Sequence, residues 1–282
     1  MNIAIGSLNY DIILRVERMP SEHEKLSALS RTESCGGSAA NTAHWLALFG
    51  LPMRMYGAAG NDYYGGICIR CLEAVGMDCS GVQIVPGAQT RLYCVIVSPN
   101  SKRMVGSGNA HEMFDPGSLS TEGLAAGSIC HFLGRDFGKL KPFLAQARKA
   151  GAIISCDANG ADCRPMLPYV DYAFMNEDEL RRSAGGPDPF AAVEAAARQS
   201  ASHVAVTRGR SGAVLLGAPE RISREAFVVQ PVDRTGGGDS FNAGFLFGLK
   251  TGRSYEASMD LGLKLASAVI SRQGTRPDIT LP

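Results

Sequence analysis

Short runs of β-branched residues alternate with longer stretches rich in alanine and leucine through most of this chain. Predicted strands at residues 129–133 and 153–157, for example, flank a predicted helix at residues 140–150. This order is typical of βαβ units, in which a helix returns the chain so that successive strands run parallel. With 282 residues, of which 45% are hydrophobic, the chain can bury a full core. We therefore expect an α/β fold, with a mostly parallel central sheet, in a single domain.

Two stretches break this rhythm, at residues 11–33 and 90–110. Both read as strands of alternating polar and apolar character, and neither contains a crossover helix. Because they are similar in type, we expect them to pair as a small separate sheet, a lid that covers a ligand site and excludes water from it. The alternative is that they are edge strands of the main sheet.

Charge and hydropathy limit the classes of partner. The chain has 28 basic and 27 acidic residues, so it lacks the basic surface that binds nucleic acids or anionic membranes. No apolar run approaches the roughly 18 residues that span a bilayer, and no basic segment precedes the first apolar residues. We expect a small-molecule partner, no nucleic acid, no membrane and a cytoplasmic location.

The eight cysteines are scattered, which fits a reducing compartment better than a disulfide scaffold. Cys68 and Cys71 form a Cys-x-x-Cys motif, but a structural zinc site usually has four ligands and no second pair stands at matching spacing. The surrounding residues 65–75 predict a helix, on which both thiols are expected to be packing residues.

The strongest local signal for chemistry is the run Thr235-Gly236-Gly237-Gly238-Asp239, followed by a predicted helix at residues 239–251. Consecutive glycines let backbone N–H groups converge, and a helix N-terminus adds about half a positive charge, so the segment predicts an anion-binding cradle. It is not a Walker loop, because no Gly-x-x-x-x-Gly-Lys-Ser/Thr sequence occurs in the chain. Taken alone, Asp239 is better explained as a helix N-cap.

The surrounding sequence changes that reading, because residues 233–245 resemble the C-terminal signature of the ribokinase-like (PfkB) carbohydrate and nucleoside kinase family. Four further segments agree with the family in order and spacing: Gly6-Ser-Leu-Asn9-Tyr-Asp11, Gly36-Gly37-Ser-Ala-Ala-Asn41, Asn176-Glu-Asp-Glu179 and Thr207-Arg-Gly209-Arg-Ser-Gly212. The resemblance implies a three-layer α/β/α fold with a small β lid. It also implies ATP-dependent phosphorylation of a hydroxymethyl group on a sugar or sugar-like molecule.

The resemblance places the acceptor at the N-terminal motifs, on Asn9, Asp11, Gly36, Gly37 and Asn41. Carboxylate and carboxamide groups form directional hydrogen bonds with vicinal hydroxyls, and such a site rejects analogues that lack one hydroxyl. The two glycines remove side chains where a ligand must approach the backbone. Each residue alone also suits an ordinary turn or cap.

The resemblance places the nucleotide at Asn176, Thr207, Gly209 and Gly212. The two glycines also permit a tight turn between strands, and the acidic run at 176–179 otherwise reads as solvated surface. If a helix starts there, Asn176 and Glu179 share one face, on which Glu179 can hold Mg²⁺ through water.

In the mechanism that the resemblance implies, Asp239 is the catalytic base. A carboxylate with an ordinary pKa of about 3.9 cannot make a free alkoxide, so the proton must move late, as the O–P bond forms. The N–H groups of Gly236, Gly237, Gly238 and Asp239 would hold the oxygens of the migrating phosphoryl group.

The resemblance also implies a monovalent-cation site, with K⁺ as the candidate ion. Asp233 and Thr235 match its first half. Val269, Arg272 and Gly274 match the region of its second half, partly through backbone carbonyls. Asp278 stands where ribokinases commonly have serine.

Two departures from the ribose-specific pattern bear on the substrate. The first motif reads Gly-Gly-Ser-Ala-Ala-Asn instead of Gly-Gly-Lys-Gly-Ala-Asn, and Gly134 stands near the position of a family glutamate. Loss of that side chain is expected to open space for a bulkier ligand, and the N-terminal motifs also resemble archaeal-type nucleoside kinases. A nucleoside kinase acting on the ribose 5′-hydroxyl is therefore the alternative function, with His23, Tyr10 or Trp45 as candidates for stacking on a base.

Two hypotheses from other classes are weaker. A catalytically inactive ligand-binding homologue should have lost the base or the glycines, and both are present. A dinucleotide-dependent oxidoreductase should carry Gly-x-Gly-x-x-Gly after the first strand, and this chain does not. Because exposed lid strands can pair between subunits, we expect a homodimer formed through the lid.

Overall fold

The structure is a computed structural model that describes residues 1–281. Within these residues the chain forms strands of three to eight residues. In chain order they are β1 (Asn2–Ile5), β2 (Asn9–Arg15), β3 (Ser30–Gly36), β4 (Met53–Gly60), β5 (Asp78–Val85), β6 (Arg91–Ser98), β7 (Ser101–Ser107), β8 (Ile129–Leu133), β9 (Ile153–Asp157), β10 (Tyr172–Asn176), β11 (His203–Thr207), β12 (Ala213–Leu216) and β13 (Ile222–Arg224).

Nine of these strands form the central sheet, in the order β13-β12-β11-β10-β9-β8-β1-β4-β5. All neighbours pair parallel except β11 with β12 and β12 with β13, which are antiparallel. The carboxyl ends of β9, β10 and β11 therefore meet at one edge of the sheet. In an open α/β sheet this edge is where ligands bind.

Four strands form a second sheet, in the order β3-β2-β6-β7. The strands extend slightly beyond both ends of the predicted stretch 11–33, since β2 begins at Asn9 and β3 ends at Gly36. Residues 16–29 between them are a loop instead of strand. The two sequence stretches thus pair with each other, through the parallel contact of β2 with β6. They are not edge strands of the central sheet.

The helices cover both faces of the central sheet. They are α1 (Ser38–Leu48), α2 (Tyr63–Glu73), α3 (Phe137–Lys149), α4 (Glu177–Ala184), α5 (Pro189–Gln199), α6 (Gly237–Lys250) and α7 (Tyr255–Ile270). Side chains alternate along each strand, so in β1 Ile3 and Ile5 join the core under α3 and α5, whereas Ala4 joins the core under α1, α6 and α7. The expected three-layer α/β/α fold with a small β sheet is confirmed.

Helix α6 begins two residues earlier than predicted. Gly236, with φ of 80°, is its N-cap, so Asp239 lies inside the first turn instead of preceding it. Since glycine adopts positive φ without a steric penalty, the glycine run sets the start of this helix.

The Cys-x-x-Cys motif faces the second sheet. On α2, Cys68 Sγ contacts the Asn9 carbonyl at 3.2 Å, and Cys71 Sγ lies 2.7 Å from Cys35 Sγ of β3. In residues 1–281 no three His, Cys, Asp or Glu side chains are grouped so that they could hold a metal ion. Cys68 is buried and Cys71 is half-buried, and both pack between α2 and the second sheet. Among the described helices, none is both long and apolar enough to span a membrane.

Candidate active site

Two side chains at the start of α1 hold the Asp239 carboxylate by hydrogen bonds. Its two carboxylate oxygens accept hydrogen bonds from Ser38 Oγ and, at 2.7 Å, from Asn41 Nδ2. The Thr42 hydroxyl donates to the Asp239 carbonyl at 3.2 Å. Ser38 and Asn41 are three residues apart on one helix and therefore face the same side. Their two donors fix the carboxylate and favour its charged form.

Several carboxylates lie close to Asp239, and they affect one another's pKa values. Burial raises the pKa of Asp239, against hydrogen bonds from Ser38 and Asn41 and the charge of Arg276. Burial and the charges of Asp239 and Glu179 raise the pKa of Asp157 to about 7. Such a cluster of half-buried carboxylates, with raised pKa values at Asp157 and Asp239, is typical of a functional site.

The glycine run forms an open pocket above the sheet edge. A Cβ on Gly236 or Gly237 would lie 2.9 Å from Thr275 O or Ile270 Cγ2, respectively, whereas a Cβ on Gly238 would meet nothing within 4 Å. The N–H groups in the first turn of α6 have no acceptor within the helix. The run therefore leaves room and donors for an anion beside Asp239.

We predict that Gly238→Ala leaves the fold intact but lowers kcat/KM for ATP by about 10-fold or more, because the new methyl group occupies the space next to the anion donors. Steady-state kinetics and thermal unfolding measure the two effects. Gly138→Ala is the matched control, since Gly138 also lies in the first turn of a helix with nothing within 4 Å of its added Cβ. Equal kinetics for both variants would contradict the cradle.

A cavity of about 600 Å³ lies beside this run. It is lined by all four residues predicted to hold the nucleotide, Asn176, Thr207, Gly209 and Gly212, together with Gly237 and Gly238. Apolar side chains, among them Phe227, Val229 and Ile270, form the rest of the wall. The volume and the mixed lining suit a nucleotide-sized ligand.

The turn between β11 and β12 contains the second nucleotide motif. Gly212 has φ of 82°, and a Cβ there would lie 1.9 Å from the Arg224 carbonyl, so only glycine fits. Gly209, with φ of 54°, would meet nothing within 4 Å. The two glycines thus form a tight turn between antiparallel strands, and this turn also borders the larger cavity.

A second cavity of about 160 Å³ adjoins the first, and both are lined by Asn176, Thr207 and Gly238. Asp157, Asn159, Glu179 and Asp239 also line it. Because the residues predicted to hold the nucleotide and the predicted base Asp239 border the same space, a phosphoryl group held at Gly238 would lie next to Asp239.

The smaller cavity provides the ligands that Mg²⁺ prefers. Asp157 and Glu179 contribute carboxylates and Asn159 a carboxamide, and magnesium is usually bound by one or two carboxylates plus waters and substrate phosphates. Asn176 and Glu179 also form a capping box at the start of α4, in which Asn176 N donates to Glu179 Oε2 at 3.0 Å. This bond orients the Glu179 carboxylate. The residues present therefore fit the ion.

The acceptor residues predicted from the N-terminal motifs converge below the second sheet. In the paired strands Asn9 faces Gly36, and a Cβ on Gly36 would lie 2.7 Å from Asp11 Oδ2. Asn9 Oδ1 is buried and has no hydrogen-bond partner within the described residues. Burial raises the pKa of Asp11 to about 6, against the charges of Lys102 and Arg276. The structure thus brings Asn9, Asp11 and Gly36 together, next to Asn41 and Asp239.

The residues predicted for a monovalent cation also lie together. Asp233 Oδ1 accepts from Thr235 N at 3.0 Å and from Thr235 Oγ1 at 2.7 Å, and its other oxygen accepts from Gly274 N at 3.2 Å. Val269 O accepts from Arg272 N at the end of α7. The Arg272 guanidinium donates to the Asp278 carbonyl.

The expectation that Gly134 makes room for a bulky acceptor is wrong. Gly134 opens no space, because a Cβ there would lie 2.8 Å from the Ala158 carbonyl. Trp45 is fully buried in the core, Tyr10 packs against Tyr64 at 5.0 Å between ring centroids, and His23 is exposed in a loop. Trp45 and Tyr10 are thus engaged in packing, whereas His23 is exposed to solvent in the loop between β2 and β3.

Sequence reasoning missed four residues of the site: Ser38, Asp157, Asn242 and Arg276. Asp157 ends β9 and accepts from Asn242 Nδ2 at 3.0 Å. It had a usable signal, since it closes a predicted strand and is followed by Ala-Asn-Gly. Ser38 and Asn242 lie inside the two quoted motifs, at residues 36–41 and 233–245, but no role was predicted for them. Arg276 had no signal, because its partner Asn41 lies far away in sequence.

Comparisons with known proteins agree with this geometry. The model of the "pfkB family carbohydrate kinase" matches residues 1–281. An ATP-dependent ribose-1-phosphate kinase of Halopiger xanaduensis is 27% identical over 279 residues, which cover 97% of this chain and 93% of that protein. A ribokinase of Arabidopsis thaliana is 28% identical over 296 residues, which cover 98% of this chain and 78% of the plant protein.

Solved structures are similar over the same extent. A ribokinase from Thermotoga maritima matches with a TM-score of 0.79 at 25% identity, covering 97% of this chain and 93% of that one. The adenosine kinase from Sinorhizobium meliloti matches with a TM-score of 0.84 at 24% identity, covering 99% and 96%. At this identity the second likeness shows the fold alone.

Proposed function

Because this chain belongs to the pfkB family of carbohydrate kinases and is an ATP-dependent kinase, we propose that it transfers the γ-phosphoryl group to a hydroxymethyl group of a sugar or sugar-like molecule. The observation that carries this proposal is the junction of the two cavities, where Gly238 and Asp239 line the same space. An acceptor hydroxyl beside Asp239 then faces a phosphoryl group at the start of α6.

In this proposal Asp239 accepts the hydroxyl proton as the O–P bond forms, and Ser38 and Asn41 hold its carboxylate in place. The first-turn N–H groups of α6 stabilise the charge on the transferring oxygens. Asn9 and Asp11 bind the remaining hydroxyls of the acceptor. Proton acceptance and charge stabilisation therefore come from adjacent groups in the first turn of α6.

We propose Asp157 and Glu179 as the residues that hold Mg²⁺, directly or through water. When bound, the ion neutralises phosphate charge and favours departure of ADP. In support, the crystal structure of a putative ribokinase from E. coli contains ATP and Mg²⁺, and it has this fold. For K⁺ we propose the cluster of Asp233, Thr235, Val269, Arg272 and Gly274, supported by the bonds that join Asp233 to Thr235 and Gly274.

We propose that the chain acts as a single domain in which the four-stranded sheet is a lid. Three hydrogen bonds between side chains of the sheet and the segments next to α6 and α7 support this role. They join Arg15 to the Val232 carbonyl, Lys102 to Thr235 and Thr32 to Gln273. We also propose a homodimer through the lid, because β7 is an exposed edge strand.

A sugar acceptor is favoured over a nucleoside, because the candidate stacking residues Trp45, Tyr10 and His23 are all engaged elsewhere or exposed. The intact base and glycine run oppose a catalytically inactive homologue. One relative is a kinase of ribose 1-phosphate, so phosphorylated pentoses belong among the acceptors to be tested.

The test is ADP release from Mg-ATP with ribose, deoxyribose, ribose 1-phosphate, hexoses, fructosamines and adenosine, with and without K⁺. We expect turnover on a sugar or sugar phosphate and little on adenosine. Turnover on adenosine alone would establish the nucleoside alternative. Absence of turnover on every hydroxymethyl acceptor would contradict the proposal.

A further inference from the structure

Arg276 reaches the site from the segment that follows α7. Its Nε donates to Asn41 Oδ1 at 2.8 Å, and its Nη2 donates to the Gly36 carbonyl at 3.3 Å. Asn41, which is buried, donates through Nδ2 to Asp239 Oδ2 at 2.7 Å. The three side chains thus form a directed chain, from guanidinium to carboxamide to carboxylate.

The direction of this chain is set by chemistry. A guanidinium only donates hydrogen bonds and a carboxylate only accepts them, so the Asn41 carboxamide satisfies both neighbours in one orientation alone. In the flipped orientation its oxygen would face Asp239 and its NH₂ group would face Arg276. Arg276 therefore decides which end of Asn41 the carboxylate meets.

Arg276 also supplies a positive charge in a region where carboxylates predominate. Asp11, Asp157 and Glu179 surround Asp239, and the electrostatic effect of each carboxylate on its neighbours is to raise the pKa. The charge of Arg276 opposes this rise at both Asp11 and Asp239. Arg276 is half-buried, and its guanidinium donates to Asn41 and to the Gly36 carbonyl instead of to a carboxylate. Because desolvating a guanidinium is costly, its position behind Asn41 indicates an electrostatic role.

We propose that Arg276 is a positioning residue, which orients the Asn41 carboxamide and through it holds the Asp239 carboxylate ready to accept a proton. Arg276 does not touch the reacting atoms. It acts on the base through one intervening side chain, and on the acceptor motif through the Gly36 carbonyl. This inference rests on the proposed function, because it assigns Asp239 as the base.

Arg276→Gln removes the charge and Arg276→Lys keeps it, and together they test the proposal. For Arg276→Gln we expect kcat to fall between about 10-fold and 10²-fold, with KM for ATP changed less than about two-fold, since only the base is disturbed. Without the cation Asp239 stays protonated to higher pH, so the acidic limb of the kcat/KM profile should move up by about one pH unit.

Arg276→Lys should lose less activity and keep its acidic limb close to that of the wild type. Arg253→Gln is the control, since Arg253 is an exposed arginine between α6 and α7. Circular dichroism and thermal unfolding check that each variant folds. If Arg276→Gln does not fold, Arg276→Lys is the test. A lower kcat at constant KM for ATP then supports the inference, and an unchanged kcat contradicts it.

Wild-type kcat with Arg276→Gln, or equal losses in both variants with unshifted acidic limbs, would overturn the inference and leave Arg276 a structural residue. These outcomes require an active wild-type enzyme, which is assayed alongside. A wild-type enzyme that turns over no acceptor contradicts the proposed function itself, and this inference with it.

Discussion

Asp239→Asn is expected to reduce kcat by about 10³-fold, because the amide cannot accept the hydroxyl proton as the O–P bond forms. The substitution also turns a hydrogen-bond acceptor into a group with its own donors, opposite the donors Ser38 and Asn41. The carboxylate lies outside the larger cavity, so Kd for ATP should change less than about three-fold. Single-turnover kinetics and calorimetric titration of ATP measure the two quantities.

Retained ATP binding is the internal control for a folded Asp239→Asn protein. A variant that keeps more than about a tenth of the wild-type kcat would show that proton acceptance lies elsewhere. Asp157 would then be the next candidate, since it lines the same small cavity. Loss of ATP binding together with turnover would instead point to a disturbed fold.

Gly37→Ala is expected to destabilise the protein by about 3 kcal/mol or more, from backbone strain and a direct clash. Gly37 has φ of 102°, and a Cβ would lie 2.0 Å from the Ser7 carbonyl. The strand β3 and the helix α1 meet at this residue, so any relief of the clash displaces Gly36 or Ser38 and with them the acceptor site. Urea-induced unfolding measures the change in the free energy of unfolding.

Gly50→Ala separates the two causes. Gly50 has φ of 87° but nothing within 4 Å of an added Cβ, so this variant has the strained backbone without the clash. We expect its free energy of unfolding to fall by about 1 kcal/mol. If the free energy of unfolding falls equally in both variants, the close approach of Gly37 to Ser7 contributes nothing to the loss.

The central sheet could be predicted because its strands are short, apolar and separated by helices. Elements with weak hydrophobic periodicity could not be predicted in this way. Strand β5 is half-buried and contains Gly81, where a Cβ would lie 2.6 Å from Tyr56 Cδ1. Helix α4 buries only Leu180, so it lacks the repeated apolar spacing that identifies a helix.

The candidate site could be predicted only where its residues form a local sequence pattern. The glycine run and Asp239 form such a pattern, whereas the hydrogen bonds that hold the Asp239 carboxylate join residues far apart in sequence. Asn41 is 198 residues from Asp239, and Arg276 is 235 residues from Asn41. Only the packing of α1 against α6 and of the last segment behind α1 makes these pairs. Ser38 and Arg276 are common surface residues when seen in sequence alone.

In the proposed reaction, one phosphoryl group passes from ATP, at the start of α6, to a hydroxymethyl oxygen beside Asp239. Its most direct test is mass spectrometry and ³¹P NMR of the product formed from Mg-ATP and the best acceptor. We expect one phosphorylated acceptor for each ADP, with the new phosphate ester on the hydroxymethyl oxygen. Release of inorganic phosphate without a phosphorylated acceptor, or a phosphate on a ring hydroxyl, would contradict it.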